Sequence, residues 1–91
     1  MADPLYARVT SIEAEATPEV LAFRERVLLE AAALPGFRGA LDLVDPASGR
    51  QLAVTLWESE EALRASARAR PGSFPTIEVY EARWYPPPAS P

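Results

Sequence analysis

The sequence predicts an α+β fold in which two β-α-β units share one antiparallel sheet, with both helices on the same face. Three observations lead to this prediction. Two segments have the periodicity of amphipathic helices, strand-like runs flank each of them, and a short turn joins the two middle runs. With right-handed crossovers, the order β-α-β-β-α-β is that of the ferredoxin-like sandwich, whose first and third strands lie in the middle of the sheet.

The first half of the chain contains a strand and the most clearly marked helix. Residues 5–14 roughly alternate between apolar and polar side chains and are rich in β-formers. Thr17 is a suitable N-cap for the following helix, Pro18 fits its first position, and Leu34-Pro35-Gly36 ends it. The predicted inward stripe of this helix is apolar and consists of Val20, Phe23, Val27, Ala31 and Leu34, with Leu21 and Leu28 beside it.

Residues 39–58 are predicted to form a β-hairpin, because the runs 39–45 and 50–58 flank a Pro-Ala-Ser-Gly turn. The two faces of the second run present Leu52, Val54 and Leu56 on one side and Ala53, Thr55 and Trp57 on the other. The residues between Arg50 and Glu58 carry no charge on either face, and a central strand of this kind implies that both faces of the sheet are covered. Since the helices cover only one, we expect a homodimer joined through the other sheet face; a bulge that mixes the two faces is the alternative.

The C-terminal part repeats the pattern of helix and strand. Ser59 caps a second helix over 59–70, which carries glutamates in its first turn and arginines in its last. The last strand covers 76–85, and a Pro-rich tail follows at 86–91. No interdomain linker is recognisable, so we expect residues 1–91 to form a single domain.

The composition excludes several kinds of chemistry. The 91 residues include no Cys, His, Lys or Asn, so the chain has no thiolate, no Ser-His relay and no imidazole ligand for metal or haem. We therefore expect neither a cofactor nor a metal, and any general acid or base must be Asp, Glu, Tyr or a terminus. The net charge of −4 argues against nucleic acid. Because neither a signal peptide nor a spanning apolar run is recognisable, we expect a cytoplasmic protein that does not bind membranes.

The run LPGFRGALDLVDPASGRQLAVTLWESEEALRAS at 34–66 resembles the antibiotic biosynthesis monooxygenase-like superfamily. The shared pattern is a helix ending in Pro-Gly-Phe, a hairpin, and a strand closing in Trp-x-Ser before an acidic helix start; the wider match runs from about Leu5 to Tyr85. The resemblance implies a dimeric α+β barrel. It also implies cofactor-free oxygenation of polycyclic aromatic compounds as one possible activity. The resemblance does not extend to haem degradation. That branch of the superfamily relies on a His, an Asn and a Trp in the second helix region, whereas this chain has no His, no Asn and no Trp in residues 60–70.

The candidate site residues lie around the space between helices and sheet. Trp57 either lines a pocket for a flat aromatic ligand or fills the core or a dimer seam. Arg24 projects from the apolar arc of the first helix, where it snorkels to solvent, pairs with a carboxylate, or holds a ligand's enolate or carboxylate. Arg8 and Glu81 lie on neighbouring predicted strands, and we expect a cross-strand ion pair. Further aromatic candidates around the same space are Tyr6, Phe23, Phe37 and Tyr80.

The resemblance thus implies a cofactor-independent monooxygenase of a small aromatic or polyketide-like compound. Trp57, Tyr6 and Phe23 would place the substrate, and Arg24 would stabilise negative charge. The alternatives are a non-catalytic domain that binds a small hydrophobic metabolite and a purely structural dimer. A void of several hundred cubic ångströms between helices and sheet would favour a ligand, whereas a filled interior would favour a scaffold.

Overall fold

The structure is a computed structural model that describes residues 4–12, 17–69 and 76–89. The elements within these residues are β1 (Leu5–Ile12), α1 (Pro18–Ala32), β2 (Phe37–Val44), β3 (Gln51–Trp57), α2 (Glu60–Ala69) and β4 (Thr76–Ala82). The predicted order β-α-β-β-α-β is confirmed. The predicted end of the first strand, at 13–14, and the predicted stop of the second helix, at 70–72, lie outside the described residues.

The sheet is antiparallel throughout, with the strand order β2-β3-β1-β4. The prediction that the first and third strands lie in the middle is therefore confirmed. In this register Trp57 pairs with Tyr6 on β1 and with Phe37 on β2, so these three side chains share the face that the helices cover. The opposite face, called the far face below, carries the larger side chains Leu5, Val9, Leu41, Leu43, Leu52, Val54, Leu56, Glu78 and Tyr80.

Helix α1 begins as its sequence predicts but presents a different face to the sheet. The Oγ1 atom of Thr17 accepts a hydrogen bond of 3.2 Å from the backbone N–H of Val20, and Pro18 follows the cap. The buried residues of α1 are Arg24, Val27 and Ala31. Phe23, which was predicted to lie on the inward stripe, is instead 50% exposed. The helix is rotated so that Arg24 and Ala31 face the sheet, and the centre of this buried arc lies about 80° around the helix axis from Phe23.

The turn between α1 and β2 depends on a glycine. Gly36 has a positive φ of 84°, and its carbonyl accepts a hydrogen bond of 2.9 Å from the N–H of Glu58. Strand β2 then begins at Phe37, two residues earlier than predicted, because a bulge at Arg38 lets Phe37 pair with β3 ahead of the regular ladder.

Strand β4 ends at Ala82 rather than at residue 85. Its last pairing is with Leu5, the first residue of β1. Pro4 precedes that residue and has no N–H with which to extend the ladder. Residues 83–89 are accordingly exposed and without regular structure. None of the helices in the described residues is long and apolar enough to cross a membrane.

Candidate functional site

Trp57 lies at the centre of the small core between the helices and the sheet. Its side chain is completely buried against Ala31 and Leu63. The Nε1–H group donates a hydrogen bond of 2.9 Å to Oγ1 of Thr55. Phe37 packs edge-on against the indole with 5.6 Å between ring centroids. Trp57 is therefore primarily a core residue, whose one polar atom is committed to a neighbouring threonine.

The layer between helices and sheet is unusually polar. Its buried polar side chains, called the polar layer below, are Arg8, Thr10, Arg24, Gln51, Thr55 and Ser66. Buried polar groups cost free energy unless they are hydrogen-bonded, and buried charges cost more. The sequence did not predict this concentration, although strict alternation along β1 and β3 places four of the six on the helix-facing side.

Arg24 does not snorkel; it turns inward and is 3% exposed. Its guanidinium forms an ion pair with Asp42 on β2 and hydrogen-bonds the side-chain oxygen of Gln51. The Nη2 atom also lies 3.4 Å from the carbonyl oxygen of Leu52. Burial lowers the pKa of Arg24, while the carboxylate of Asp42 supplies the opposite charge. Of the predicted roles, pairing with a carboxylate is the one observed.

Arg8 is the second buried arginine, and its surroundings differ. It is 7% exposed, and Nη1 donates a hydrogen bond of 3.0 Å to Oγ of Ser66 on α2. The predicted ion pair between Arg8 and Glu81 is wrong: Glu81 pairs instead with Arg83 at 2.7 Å, because its strand position is opposite Tyr6 rather than Arg8. Among the described residues, Arg8 has no carboxylate partner, and its Nε atom is buried without a hydrogen bond. Burial lowers the pKa of Arg8.

The enclosed space beneath α1 is small. A void of about 20 Å³ lies between α1 and the sheet, and it is lined by Thr10, Arg24, Thr55 and the apolar side chains Ile12, Phe23, Val27, Leu28 and Ala53. This volume accommodates about one water molecule and not an aromatic ring. Phe23, half exposed, forms part of its wall.

A larger cleft of about 310 Å³ lies between the turn after α1 and helix α2, and its lining includes Ser66 of the polar layer. Leu34, Pro35, Ala62 and Ala65 supply an apolar surface, and the carboxylates of Glu58 and Glu61 border it. Because those carboxylates repel anions, this cleft suits neither an enolate nor a phenolate.

The aromatic candidates do not all lie together. Tyr6, Phe37 and Trp57 lie on the helix-facing side, and Phe23 borders the void. Tyr80 does not belong to this group, because it pairs with Ala7 on the far face, where it is 49% exposed and hydrogen-bonds Glu78. Within the described part of the chain, no group of three His, Cys, Asp or Glu side chains could hold a metal ion.

Comparisons with solved structures agree with this fold. The chain is similar to SnoaB, a cofactor-independent oxygenase from Streptomyces nogalater, with a TM-score of 0.70 and 21% identity over 96% of this chain and 100% of that one. It is similar to a haem-degrading protein from Mycobacterium tuberculosis, with a TM-score of 0.60 and 28% identity over 85% and 92% of the two chains. No family model and no curated protein matches the sequence.

A third similar structure contains a ligand. It is a monooxygenase from the gene ActVA-Orf6 of Streptomyces coelicolor in complex with Nanaomycin D, with a TM-score of 0.61 and 19% identity over 97% of this chain and 94% of that one. The ferredoxin-like α+β fold predicted from the sequence is confirmed, as is the structural resemblance to the antibiotic biosynthesis monooxygenase-like proteins.

Proposed function

We propose that this protein is a homodimeric, cofactor-independent monooxygenase that oxidises a small aromatic or polyketide-like compound between its helices and its sheet. The observation that carries the proposal is the polar layer. A sandwich that served only as a scaffold would be more stable with apolar side chains there. Six buried polar side chains, two of them arginines, are instead typical of a site that binds or reacts.

The proposed chemistry needs little from the protein. A deprotonated phenol is electron-rich enough to reduce O₂ itself. One oxygen atom then remains on the ring and the other leaves as water, so that a phenol and O₂ become a quinone and water. The protein's part is to exclude bulk water, to orient the ring and to stabilise the anion. Such a mechanism is compatible with a chain that contains neither His nor Cys.

Of the aromatic side chains available for this role, Phe23 lines the void beneath α1. Tyr6 and Trp57 lie on the same face of the sheet, beyond the lining of the void. Because the void holds about 20 Å³, a ring enters only if the side chain of Phe23 swings outward, which its half-exposed position permits. Arg24 is committed to Asp42 and keeps α1 on the sheet.

Oxygen uptake tests this activity. We expect the purified protein to accelerate oxygen consumption by at least one member of a panel of polycyclic phenols and anthrones. When isotopically heavy O₂ is supplied, the product should contain one heavy oxygen atom. Phe23→Ala, which widens the opening, should raise kcat/KM. Leu29→Ala is the control, because Leu29 is similarly apolar but lies on the solvent side of α1. Uptake no faster than in buffer across the panel would contradict the proposal.

The small void specifically favours a second candidate, a structural dimer without catalysis. If the void of about 20 Å³ never opens, no ring reaches the polar layer, and Phe23→Ala changes stability without conferring binding. Calorimetric titration of the same panel distinguishes the two candidates, because a structural dimer binds none of the compounds.

The proposed dimer joins two copies through their far faces. On this face Leu41, Leu43 and Tyr80 are 52%, 45% and 49% exposed in the single chain. One row of the register places Leu41, Val54 and Val9 side by side across three strands, and Glu78 follows on β4 at the edge of the sheet. Burying apolar surface of this kind stabilises the assembly by roughly 25 cal/mol per Å². Each strand that the second copy covers therefore adds to the stability of the dimer.

The variant Val54→Glu tests the dimer. In a two-fold interface each substitution acts twice, and burying two ionised carboxylates costs several kcal/mol, so we expect a monomer by light scattering at micromolar concentration. Leu29→Glu makes the same kind of change on the outer surface of α1, where the side chain is 66% exposed, and should leave the mass of the wild-type dimer unchanged. A wild-type monomer mass would refute the arrangement.

A further inference from the structure

We infer that Arg8 holds an anionic oxygen of the ligand, so that the site selects compounds that are ionised at neutral pH, such as phenolates, enolates or carboxylates. The inference rests on the proposed function, because the ligand is taken to occupy the polar layer. It departs from what the sequence suggested, in which Arg24 had this role.

The charges of the polar layer distinguish the two arginines. Arg24 has a carboxylate partner in Asp42, and it also hydrogen-bonds Gln51. Arg8 has a neutral partner, Ser66, and no carboxylate within the described residues. Two guanidinium groups and one carboxylate leave one positive charge uncompensated. An anion entering this layer therefore meets its opposite charge at Arg8.

The position of Arg8 is fixed before any ligand arrives. Ser66 accepts from Nη1 at 3.0 Å while its own hydroxyl donates to the carbonyl oxygen of Leu63 at 2.6 Å, so the serine is held in place by its helix. The Nε–H of Arg8, like that of Arg24, is buried and donates to nothing. A preoriented cation with an unused donor is suited to a charge-assisted hydrogen bond.

Arg8 is not part of the lining of the void beneath α1, but two of its neighbours are. Thr55 lies directly opposite Arg8 on the neighbouring strand, and Thr10 is the next residue on the same side of β1; both line the void. Directly opposed residues of neighbouring strands have Cβ atoms about 5 Å apart. Because Thr55 accepts from the indole of Trp57, its hydroxyl hydrogen remains available as a second donor.

A purely structural role accounts poorly for Arg8. An uncompensated buried guanidinium is destabilising, and a glutamine at the same position would keep a donor for Ser66 without the charge. We therefore expect Arg8→Gln to keep or raise the thermal midpoint and at the same time to lose selectivity for anions. A residue that served only the fold would lose stability instead.

The test is calorimetric titration of the full chain with lawsone, a hydroxynaphthoquinone that is ionised at neutral pH, and with its uncharged methyl ether. We expect the wild type to bind lawsone about tenfold or more tightly than the ether, as one charge-assisted hydrogen bond provides. Arg8→Gln should bind both equally. Arg64→Gln, which removes the same charge from the exposed surface of α2, should keep the wild-type preference.

The outcomes separate this inference from the function on which it rests. If lawsone and the ether bind the wild type equally, or the preference survives in Arg8→Gln, Arg8 is not the anion-binding residue although the aromatic site stands. If neither compound binds the wild type, the proposed function fails and the inference fails with it. Should Arg8→Gln not fold, Ser66→Ala tests the same point, because freeing Nη1 should reduce the preference for lawsone without abolishing it.

Discussion

Removing the carboxylate of Asp42 should destabilise the protein far more than its position on the edge strand β2 suggests. The variant Asp42→Asn leaves the guanidinium of Arg24, 3% exposed, without an opposite charge. Breaking a fully buried pair in this way costs about 3–5 kcal/mol. Since the carboxylate is 34% exposed, solvent already screens part of the attraction, and we expect about 2–3 kcal/mol.

The reverse substitution should cost less. Arg24→Met leaves Asp42 at a position where water hydrates it, and the methionine packs where the stem of the arginine lay, so we expect a loss of about 1 kcal/mol. The double variant leaves no charge unpaired and should be close to the wild type. The four proteins thus form a double-mutant cycle with a coupling of about 3–4 kcal/mol.

Thermal unfolding at one fixed protein concentration measures this cycle. A loss of 2–3 kcal/mol lowers the Tm of a domain of this size by about 10–20 °C. The exposed pair of Arg38 and Glu58, 2.7 Å apart, is the control; its own cycle should show a coupling below about 1 kcal/mol. If Asp42→Asn costs no more than Glu58→Gln, the ion pair beneath α1 does not hold the helix to the sheet, and the reasoning fails.

Two further predictions concern the turns. Gly36→Ala should lower the free energy of unfolding by about 2–4 kcal/mol, because Gly36 has a positive φ and an added Cβ would lie 2.5 Å from a side-chain atom of α2. Gly49→Ala is the control, since Gly49 also has a positive φ but open space around it, and it should lower the Tm less. Equal effects of the two substitutions would contradict this prediction. In the hairpin turn, the N–H of Ala47 and then the hydroxyl of Ser48 lower the pKa of Asp45. The ionised form therefore stabilises the fold above the unfolded-state pKa, and this contribution is lost as the pH falls through the folded-state pKa. The Tm difference between wild type and Asp45→Ala should accordingly be present at neutral pH and vanish in acid; a pH-independent difference would contradict it.

The fold followed from the sequence because several local signals agreed with one another. The cap at Thr17, the Pro-Gly turn after α1 and the alternation along β1 each specify one element, and the right-handed crossover rule leaves one strand order for them. The prediction that failed concerned the rotation of one helix about its axis. The inward stripe of α1 was assigned from hydrophobicity alone, which gave Phe23 a buried position that Arg24 occupies.

The site was less accessible to the same reasoning. Alternation places Arg8 on the same side of β1 as Tyr6 and Thr10, so its burial could have been inferred from pattern. Its partner could not, because Ser66 lies 58 residues away and on a helix whose rotation the sequence does not specify. The ion pair of Arg24 with Asp42 was likewise one of several open roles, since only packing decides which of them forms.

The two faces of the sheet have an inverted polarity that links assembly to function. In most sandwiches of this kind, apolar side chains between helices and sheet supply the stability and the opposite face is wet. Here the helix-covered side has a small core of Ala31, Trp57 and Leu63 beside the polar layer, whereas the far face is mainly apolar, with Glu78 on its edge strand. A domain of this size has little stability to spare. A polar, reactive interior is therefore compatible with a folded chain if apolar burial is supplied elsewhere, and in the proposed dimer the second copy supplies it across the far face.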